Sequence, residues 1–507
     1  MIFETRILVM KEMELQENGS IERENKNKDL IIQMEDMLES VELPLVSRCC
    51  IYKVPQKIRK VNEAAYTPTI VSIGPFHYGD KRLQSMEELK LRYLKSFLER
   101  TQKGLGDCIE YIKESEEVIR SCYSETIEQS SDDLVRTVLT DACFIIEYFL
   151  RSLEWTQEDP LLSKPWLRCD VKLDLILLEN QLPWFVLEEI FNLTEPSCFN
   201  GEVSSFFVVA FHYFKVHFLQ SILPGVDISK FTIDHFHMHY QQYIMKPDHI
   251  DMQLHNLTDL LRVFYLPPDG MPRREKETVK HLCSASQLVE AGVKLHVGKN
   301  KSALELQFEK GVLTIPRFEV CHWTEILIRN VVAIEKCHYP FQTYITDYIF
   351  VLDFLIDTSQ DVDTLVDKGI MINTLGDSSA VANMVNNLCL NVVQENINGG
   401  YIYLCRKLNC FYEDPSHKYK AIFMHDYFST PWKITSFIAA IVLLFLTLIQ
   451  ATCSLTRIKV MQYLVDEKGN NLRKGALPHH GDSSVDLPLG LPAPNRFRSY
   501  SVPTPRH

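Results

Sequence analysis

Apolar residues recur at the spacing of an α-helix along most of the chain. After residue 80 the pattern predicts an amphipathic helix, whose apolar face carries Leu83, Met86, Lys90, Tyr93 and Phe97. Residues 132–153 predict a second helix, which begins with paired aspartates at the positive end of the helix dipole. The same spacing predicts helices at residues 29–41, 323–337, 343–358 and 378–393.

The stretch LDLILLENQLPWFVLEEIF, residues 173–191, is a third strong helical pattern with polar residues at its centre. Asn180 falls within its apolar stripe. Pro183 cannot donate a backbone hydrogen bond, so the pattern predicts one helix that is kinked there. The side-chain amides of Asn180 and Gln181 can satisfy backbone groups that the kink exposes near Glu179.

One segment has the alternation of a β-hairpin. LELQFEKGVLTIPRFEV, residues 304–320, alternates apolar and polar residues on both sides of Gly311. We find no repeat of fixed period. The sequence therefore predicts a mainly α fold: a large helical domain with a minor β-hairpin element, followed by one C-terminal transmembrane helix.

The transmembrane prediction rests on residues 434–456, which contain no charged residue. As a helix this segment would be about 35 Å long, enough to cross the hydrocarbon core of a bilayer. A buried core helix is the alternative, but core helices seldom run this far without a charge. Trp432 and Lys433 at one end, and Arg457 and Lys459 at the other, fit anchoring at the two membrane surfaces.

These patterns predict four parts of the chain. Residues 1–44 form a charged, mobile N-terminal extension, 45–433 the helical domain, 434–456 the membrane helix, and 457–507 a disordered tail rich in Pro and Ser. The tail-side flank of the membrane helix carries more Lys and Arg than the other flank, which favours a cytosolic tail. The N-terminus has no sustained signal sequence, which favours a cytosolic domain instead. The two arguments conflict, with a slight preference for the second.

The net charge and the cysteines indicate which partners and which cellular compartment to expect. The chain of 507 residues has 53 basic and 66 acidic residues and a net charge of −13, whereas non-specific nucleic-acid binding needs a basic surface. We therefore expect no nucleic-acid partner. The 14 cysteines are scattered and form no CxxC pair, which is typical of free thiols in a reducing compartment.

Motifs for cofactors and metals are weak. GPFHYGDK, residues 74–81, resembles a phosphate-binding loop, but Asp80 separates Gly79 from Lys81, and Pro75 lacks a backbone donor, so a tight turn is the better interpretation. DHFHMHY would place three histidines on one face of a strand without an evident fourth ligand: His235, His237 and His239. We expect neither a cofactor nor a metal.

Three carboxylates within apolar segments could perform acid–base chemistry. Asp141, Glu147 and Glu179 could form a pair for such chemistry, with His77 as partner. The alternative is that these groups make buried hydrogen bonds that fix how the helices pack. We favour the structural role, and expect no catalytic residues.

Several blocks, taken in order, resemble the plant domain-of-unknown-function 247 family. They are SIGPFHYG (72–79), MEELKLRYL (86–94), DACFIIEYF (141–149), DLILLENQLPWFVLEEIF (174–191), EAGVKL (290–295), GVLTIP (311–316), RNVVAIEKC (329–337), DVDTLVDKGIMINTLG (361–376) and YFSTPWKITSFIAA (427–440). The first block departs from the family's usual double histidine, since Tyr78 follows His77, and the tail after Leu464 is longer than expected. The motif residues that we expect to be structural are Ser72, Gly74, Pro75, His77, Gly79, Asp141, Glu147, Glu179, Asn180, Gln181, Pro183, Pro431 and Trp432.

The resemblance implies a mostly helical body with one C-terminal membrane span and no established enzymatic activity. Some grass members of this family are candidates for pollen-side determinants of self-incompatibility. We therefore expect a non-enzymatic, single-pass protein of the plasma membrane or an endomembrane, which contacts the bilayer through 434–456 and recognises an unidentified protein. Two alternatives remain: a membrane-tethered hydrolase using His77 with Glu179 or Glu147, and a membrane scaffold without specificity.

Overall fold

The computed structural model describes most of the chain. The described residues are 10, 27–28, 30–38, 48–101, 104–154, 159–193, 205–219, 222, 254–266, 272–298, 302–394, 396–417, 419 and 431–473. They belong to two compact units, Met1–Ile422, which we call the body, and Phe423–His507.

The body is mainly α-helical, as predicted. Its helices are α1 (Gln56–Arg59), α2 (Ser85–Thr101), α3 (Leu105–Glu114), α4 (Glu116–Ser121), α5 (Ser131–Glu154), α6 (Pro165–Asp174), α7 (Trp184–Asn192), α8 (Phe206–Phe214), α9 (Leu257–Tyr265), α10 (Ala285–Glu290), α11 (Thr324–Cys337), α12 (Tyr344–Leu355), α13 (Ser359–Asp367), α14 (Ser378–Leu388) and α15 (Gly399–Glu413). Two 3₁₀ turns, Glu63–Tyr66 and Pro75–His77, interrupt the N-terminal part, and a π-helical turn, Lys215–Leu219, follows α8. Residues 30–38, within the first predicted helix, are helical and exposed.

Helix α5 is the centre of the core. It packs against α2, α3, α7 and α8, so every residue from Leu134 to Leu150 except Arg136 is buried. A helix surrounded by other helices has no need of a polar face, which explains its apolar sequence. The stacked rings of Phe149 and Tyr213, with centroids 4.1 Å apart, join α5 to α8.

The strands of the described residues form three small sheets. They are β1 (Arg274–Glu275), β2 (Lys294–Gly298), β3 (Gln307–Glu309), β4 (Val312–Pro316), β5 (Phe318–Val320), β6 (Met371–Asn373) and β7 (Ile397–Asn398). Strands β3 and β4 are the predicted hairpin, and both residues of its turn, Lys310 and Gly311, have positive φ, as a type I′ turn requires. The sequence patterns missed β2, which pairs in parallel with β4, as well as the pairs β5–β6 (parallel) and β1–β7 (antiparallel).

The prediction of one kinked helix over residues 173–191 was wrong. Helix α6 ends at Asp174, helix α7 begins at Trp184, and the chain between them is a non-helical connection. Pro183 is extended, with φ −60° and ψ 136°, and immediately precedes α7, where its missing amide costs no helical hydrogen bond. Residues 174–184 are all buried, and an apolar run buried on all sides carries no periodic signal that separates helix from loop.

In the second unit the described residues form one long helix, α16 (Pro431–Arg473). Its segment Pro431–Lys468 is long and apolar enough to cross a membrane, in agreement with the predicted fold. The threonines of this segment donate their hydroxyl protons to carbonyls one turn earlier, as Thr447 does to Leu443 at 3.0 Å. The helix continues beyond Thr456, where the sequence predicted a disordered tail, because residues 457–467 contain neither Pro nor Gly.

Candidate functional site

Several motif residues meet around Thr69–Gly74, a segment that bends at Thr69 and Ile70 and lies outside any helix or sheet; we call it the extended segment. A buried backbone without a sheet partner still needs partners for its amides. Asp174 is the partner of three amides: its carboxylate accepts hydrogen bonds from the backbone amides of Thr69 at 2.9 Å, Ile70 at 2.6 Å and Val71 at 2.8 Å. Burial nevertheless raises the pKa of Asp174 to about 6.

Asn180 holds the next part of the same segment. Its Oδ1 accepts a hydrogen bond from the amide of Ile73 at 2.7 Å. Its Nδ2 donates to the carbonyls of Val71 at 3.0 Å and Asp174 at 2.9 Å. Asn180 is fully buried. Its side-chain amide makes hydrogen bonds that a neighbouring strand would make to the segment, and it also binds the Asp174 carbonyl, which has no helical partner because α6 ends there.

Asp141 and Lys90 hold the end of the segment. Asp141 Oδ2 accepts from the amide of Gly74 at 2.8 Å, and Oδ1 accepts from Lys90 Nζ at 2.7 Å. Lys90 also donates to the carbonyl of Ser72 and pairs with Glu87 at 2.7 Å. Burial raises the pKa of Asp141 to about 6, although the Lys90 charge acts in the opposite direction. This buried pair joins α2, α5 and the extended segment.

Gly74 is the position at which only glycine fits. Its φ is +70°, and a Cβ atom there would lie 2.5 Å from the carbonyl oxygen of Gln181. That oxygen also accepts a hydrogen bond from the Tyr123 hydroxyl at 3.0 Å. Pro75 then begins the 3₁₀ turn, and Gly79, with φ +79° and open space around it, ends the GPFHYG motif.

Gln181 links the α6–α7 connection to α9. Its Nε2 donates to the carbonyls of Leu175 at 2.8 Å and Leu177 at 2.9 Å. Its Oε1 accepts from the amide of Leu257 at the start of α9, at 3.0 Å. The amides of Asn180 and Gln181 therefore satisfy backbone groups, but in a buried turn and not in a kinked helix.

Glu179 points in another direction, towards a cluster of cations. Its Oε1 accepts from the amide of Val54 at 2.9 Å and lies 2.9 Å from Arg59 Nη1. Its Oε2 lies 3.5 Å from Lys53 Nζ and 3.7 Å from His77 Nε2. The Glu179 side chain is 1% exposed. A cleft is lined by Lys53, Val54, Gln56, Arg59, Glu125 and Glu179.

His77 is uncharged in this arrangement. Its side chain is 10% exposed, and burial together with the charges of Lys53 and Arg59 lowers its pKa to about 3. Its Nε2 atom has no hydrogen-bond partner in the described part of the chain. At 3.7 Å, the distance to Glu179 is too long for a hydrogen bond.

The structure brings His77 and Glu179 together, but gives the other two carboxylates different partners. Glu147 accepts from Arg151 at 2.7 Å and from Arg100 at 3.0 Å. Arg151 also donates to Asp159 at 2.8 Å. This ion network joins α2 to α5, whereas Asp141 pairs with Lys90.

The sequence patterns missed several residues that complete these clusters: Lys53, Arg59, Lys90, Asp174 and Asn330. Lys90 had a visible signal, since it stands on the apolar face of a predicted helix. Asn330 of α11 accepts from the amide of Leu178 at 2.9 Å and donates to the carbonyl of Ala65 at 2.7 Å. Asn330 had the same signal, since it lies between Leu327 and Ile334 on the apolar face of the helix predicted at 323–337.

No group of three metal-binding side chains occurs within the described residues. His235, His237 and His239 lie outside them. Pro431 and Trp432, the last two motif residues, are the first residues of α16, and Trp432 is exposed.

Comparison with known proteins assigns the family. A family model described as a plant protein of unknown function, DUF247, matches residues 51–446. The chain is 28% identical to the UPF0481 protein At3g47200 of Arabidopsis thaliana, over 88% of this chain and 90% of that protein. It is 22% identical to the putative UPF0481 protein At3g02645 of the same plant, over 79% and 89%. No solved structure matches. The chain therefore belongs to the plant DUF247 family, whose function is unknown.

Proposed function

We propose that the protein is a non-catalytic recognition module of the plant cell, anchored in a membrane by α16, whose body binds another protein. The observation that carries the proposal is the environment of His77 and Glu179. These two groups are the acid–base candidates that the structure brings together, and the cations Lys53 and Arg59 beside Glu179 help to lower the pKa of His77, which makes it a weak base.

The argument against catalysis is electrostatic. A general base works best when its pKa lies near the working pH. With a pKa of about 3, His77 has little tendency to take a proton from a nucleophile. Glu179 already accepts a hydrogen bond from the Val54 amide and pairs with Arg59. Its carboxylate therefore stabilises the fold.

Support for protein binding comes from exposed apolar side chains on two neighbouring loops. Phe341 is 69% exposed and Val393 is 73% exposed. Lys336 Nζ donates to the carbonyl of Val393 at 2.8 Å. Arg274 bonds to both loops, through Thr343 Oγ1 at 2.7 Å and the carbonyl of Asn396 at 3.0 Å. Contiguous exposed apolar patches are typical of contact sites, and the proposal places one at these two loops.

Support for anchoring comes from α16, whose apolar segment has no buried side chains. Such a surface is stable in hydrocarbon and unfavourable in water. A pollen-side role in self-incompatibility, expected from the family resemblance, is one version of this proposal.

The second candidate is a membrane-tethered hydrolase. The observation that favours it is that His77 Nε2 and Glu179 Oε2 lie 3.7 Å apart beside an open cleft. Activity-based probes for hydrolases, applied to the full chain and to His77→Gln, distinguish the two. Loss of labelling in a folded variant would support the hydrolase, whereas no labelling of the wild type supports the recognition module.

Co-purification tests the binding proposal. Tagged full-length protein is isolated from plant membranes as the wild type, as Phe341→Glu with Val393→Glu, and as Leu91→Glu, an exposed apolar position on α2. We expect a partner that the double variant loses and that Leu91→Glu retains. The same set of bound proteins with all three would overturn the proposal. Extraction with alkaline carbonate tests anchoring separately, because an integral protein stays in the pellet.

A further inference from the structure

We propose that the cleft beside Glu179 is a binding site for a small oxyanion, a ligand that presents one carboxylate or phosphate group. The cleft has a volume of about 240 Å³. This space can hold several waters or one small ligand.

The first argument is a surplus of hydrogen-bond donors. The Lys53 ammonium carries three protons, but its two oxygen contacts, the Phe76 carbonyl and Glu179 Oε2, are both at 3.5 Å. Arg59 Nη1 is buried and lies outside hydrogen-bond geometry, although it is 2.9 Å from Glu179 Oε1. Donors left without good acceptors favour a ligand rich in acceptor oxygens.

The second argument is charge. The lining has two cations, Lys53 and Arg59, and two carboxylates, Glu179 and Glu125. Glu179 is buried against the cations, whereas Glu125 is exposed and its charge is screened by water, so the cations together attract an anion more strongly than Glu125 repels it. The Glu125 carboxylate favours a ligand of low charge over a polyphosphate.

Neither Phe341 nor Val393 lines the cleft, although Asn391, near Val393, donates to the carbonyl of Lys57 in α1 at 3.0 Å. Anion binding in the cleft does not require the proposed protein partner. Loss of protein binding would leave it intact, and loss of anion binding would leave the recognition proposal standing.

The experiment uses ³¹P NMR of inorganic phosphate with the full chain in detergent at constant ionic strength. We expect saturable line broadening with the wild type, and competition by acetate. Lys53→Gln should weaken binding about tenfold, because it removes a charged donor. Lys57→Gln is the matched control: Lys57 is exposed, belongs to the same helix as Arg59, and does not line the cleft.

Glu125→Gln gives a prediction of opposite sign. Removing the carboxylate should strengthen phosphate binding about threefold, the scale of an exposed charge interaction. If Lys53→Gln does not fold, Glu125→Gln alone tests the proposal. No saturable broadening with the wild type, equal losses from Lys53→Gln and Lys57→Gln, or unchanged binding in Glu125→Gln would overturn the proposal.

Discussion

Asn180 Oδ1 accepts the backbone amide of Ile73 at 2.7 Å, although 107 residues separate the two in the chain. This bond belongs to a set in which three side chains take up five amides of one extended segment: those of Thr69, Ile70, Val71, Ile73 and Gly74. These polar side chains of the family motifs therefore accept the backbone hydrogen bonds that a neighbouring strand would accept in a sheet.

The first prediction concerns Asn180→Leu. Leucine has a similar volume but leaves the Ile73 amide and two carbonyls without partners, so we expect the free energy of unfolding to fall by about 3 kcal/mol. Urea unfolding of the full chain in mild detergent, followed by tryptophan fluorescence, measures the change. Asn383→Leu, at an exposed position of α14, should change stability by less than about 0.5 kcal/mol. Equal effects of the two substitutions would contradict the assigned role.

Gly74→Ala tests the close approach to Gln181. The substitution adds a Cβ atom 2.5 Å from a carbonyl oxygen at φ +70°, and we expect a loss of about 4 kcal/mol from the combined overlap and backbone strain. Gly79→Ala has a similar φ, +79°, and open space, so it should lose only the strain, about 1 kcal/mol. If the two variants unfold at the same urea concentration, the packing around Gly74 is not as described.

His77→Gln tests the electrostatics of the cleft through pH. Burial and two neighbouring cations lower the His77 pKa to about 3 in the folded chain, whereas an unfolded histidine has a pKa of about 6.5. The unfolded state therefore binds more protons between these values, and the wild type loses stability as pH falls from 6.5 towards 3.

The comparison with His77→Gln isolates this contribution. Asp141 and Asp174 have folded pKa values raised to about 6, so they act in the opposite direction, but they are present in both proteins. We expect the wild type to lose stability relative to His77→Gln on acidification, and His322→Gln, at an exposed site, to follow the wild type. Parallel curves for wild type and His77→Gln would show that His77 titrates normally.

The helices could largely be predicted from the sequence, because apolar periodicity is a local property. The same period placed Lys90 on an apolar face, but it could not indicate that Asp141, 51 residues later, would be its partner. Contacts of this kind depend on how α2 and α5 pack, which no local pattern encodes.

The connection between α6 and α7 shows the limit most clearly. Its residues are buried on all sides, so apolar spacing could not separate a loop from a helix. The amides of Asn180 and Gln181 could be recognised from the sequence as partners for backbone groups. Which groups they bind depends on the extended segment and on α9, both distant in the chain. The cleft depends likewise on Lys53 and Arg59, which carry no motif signal.

Hydrogen exchange of the segment Thr69–Gly74 tests the central claim most directly, that motif side chains hold this backbone in place of a strand. Mass spectrometry of the full chain in detergent, on a peptide that covers residues 68–75, gives the rate. The account predicts exchange as slow as in α5, because opening the segment requires breaking its bonds to Asp174, Asn180 and Asp141. Exchange at the rate of an unstructured chain would contradict it.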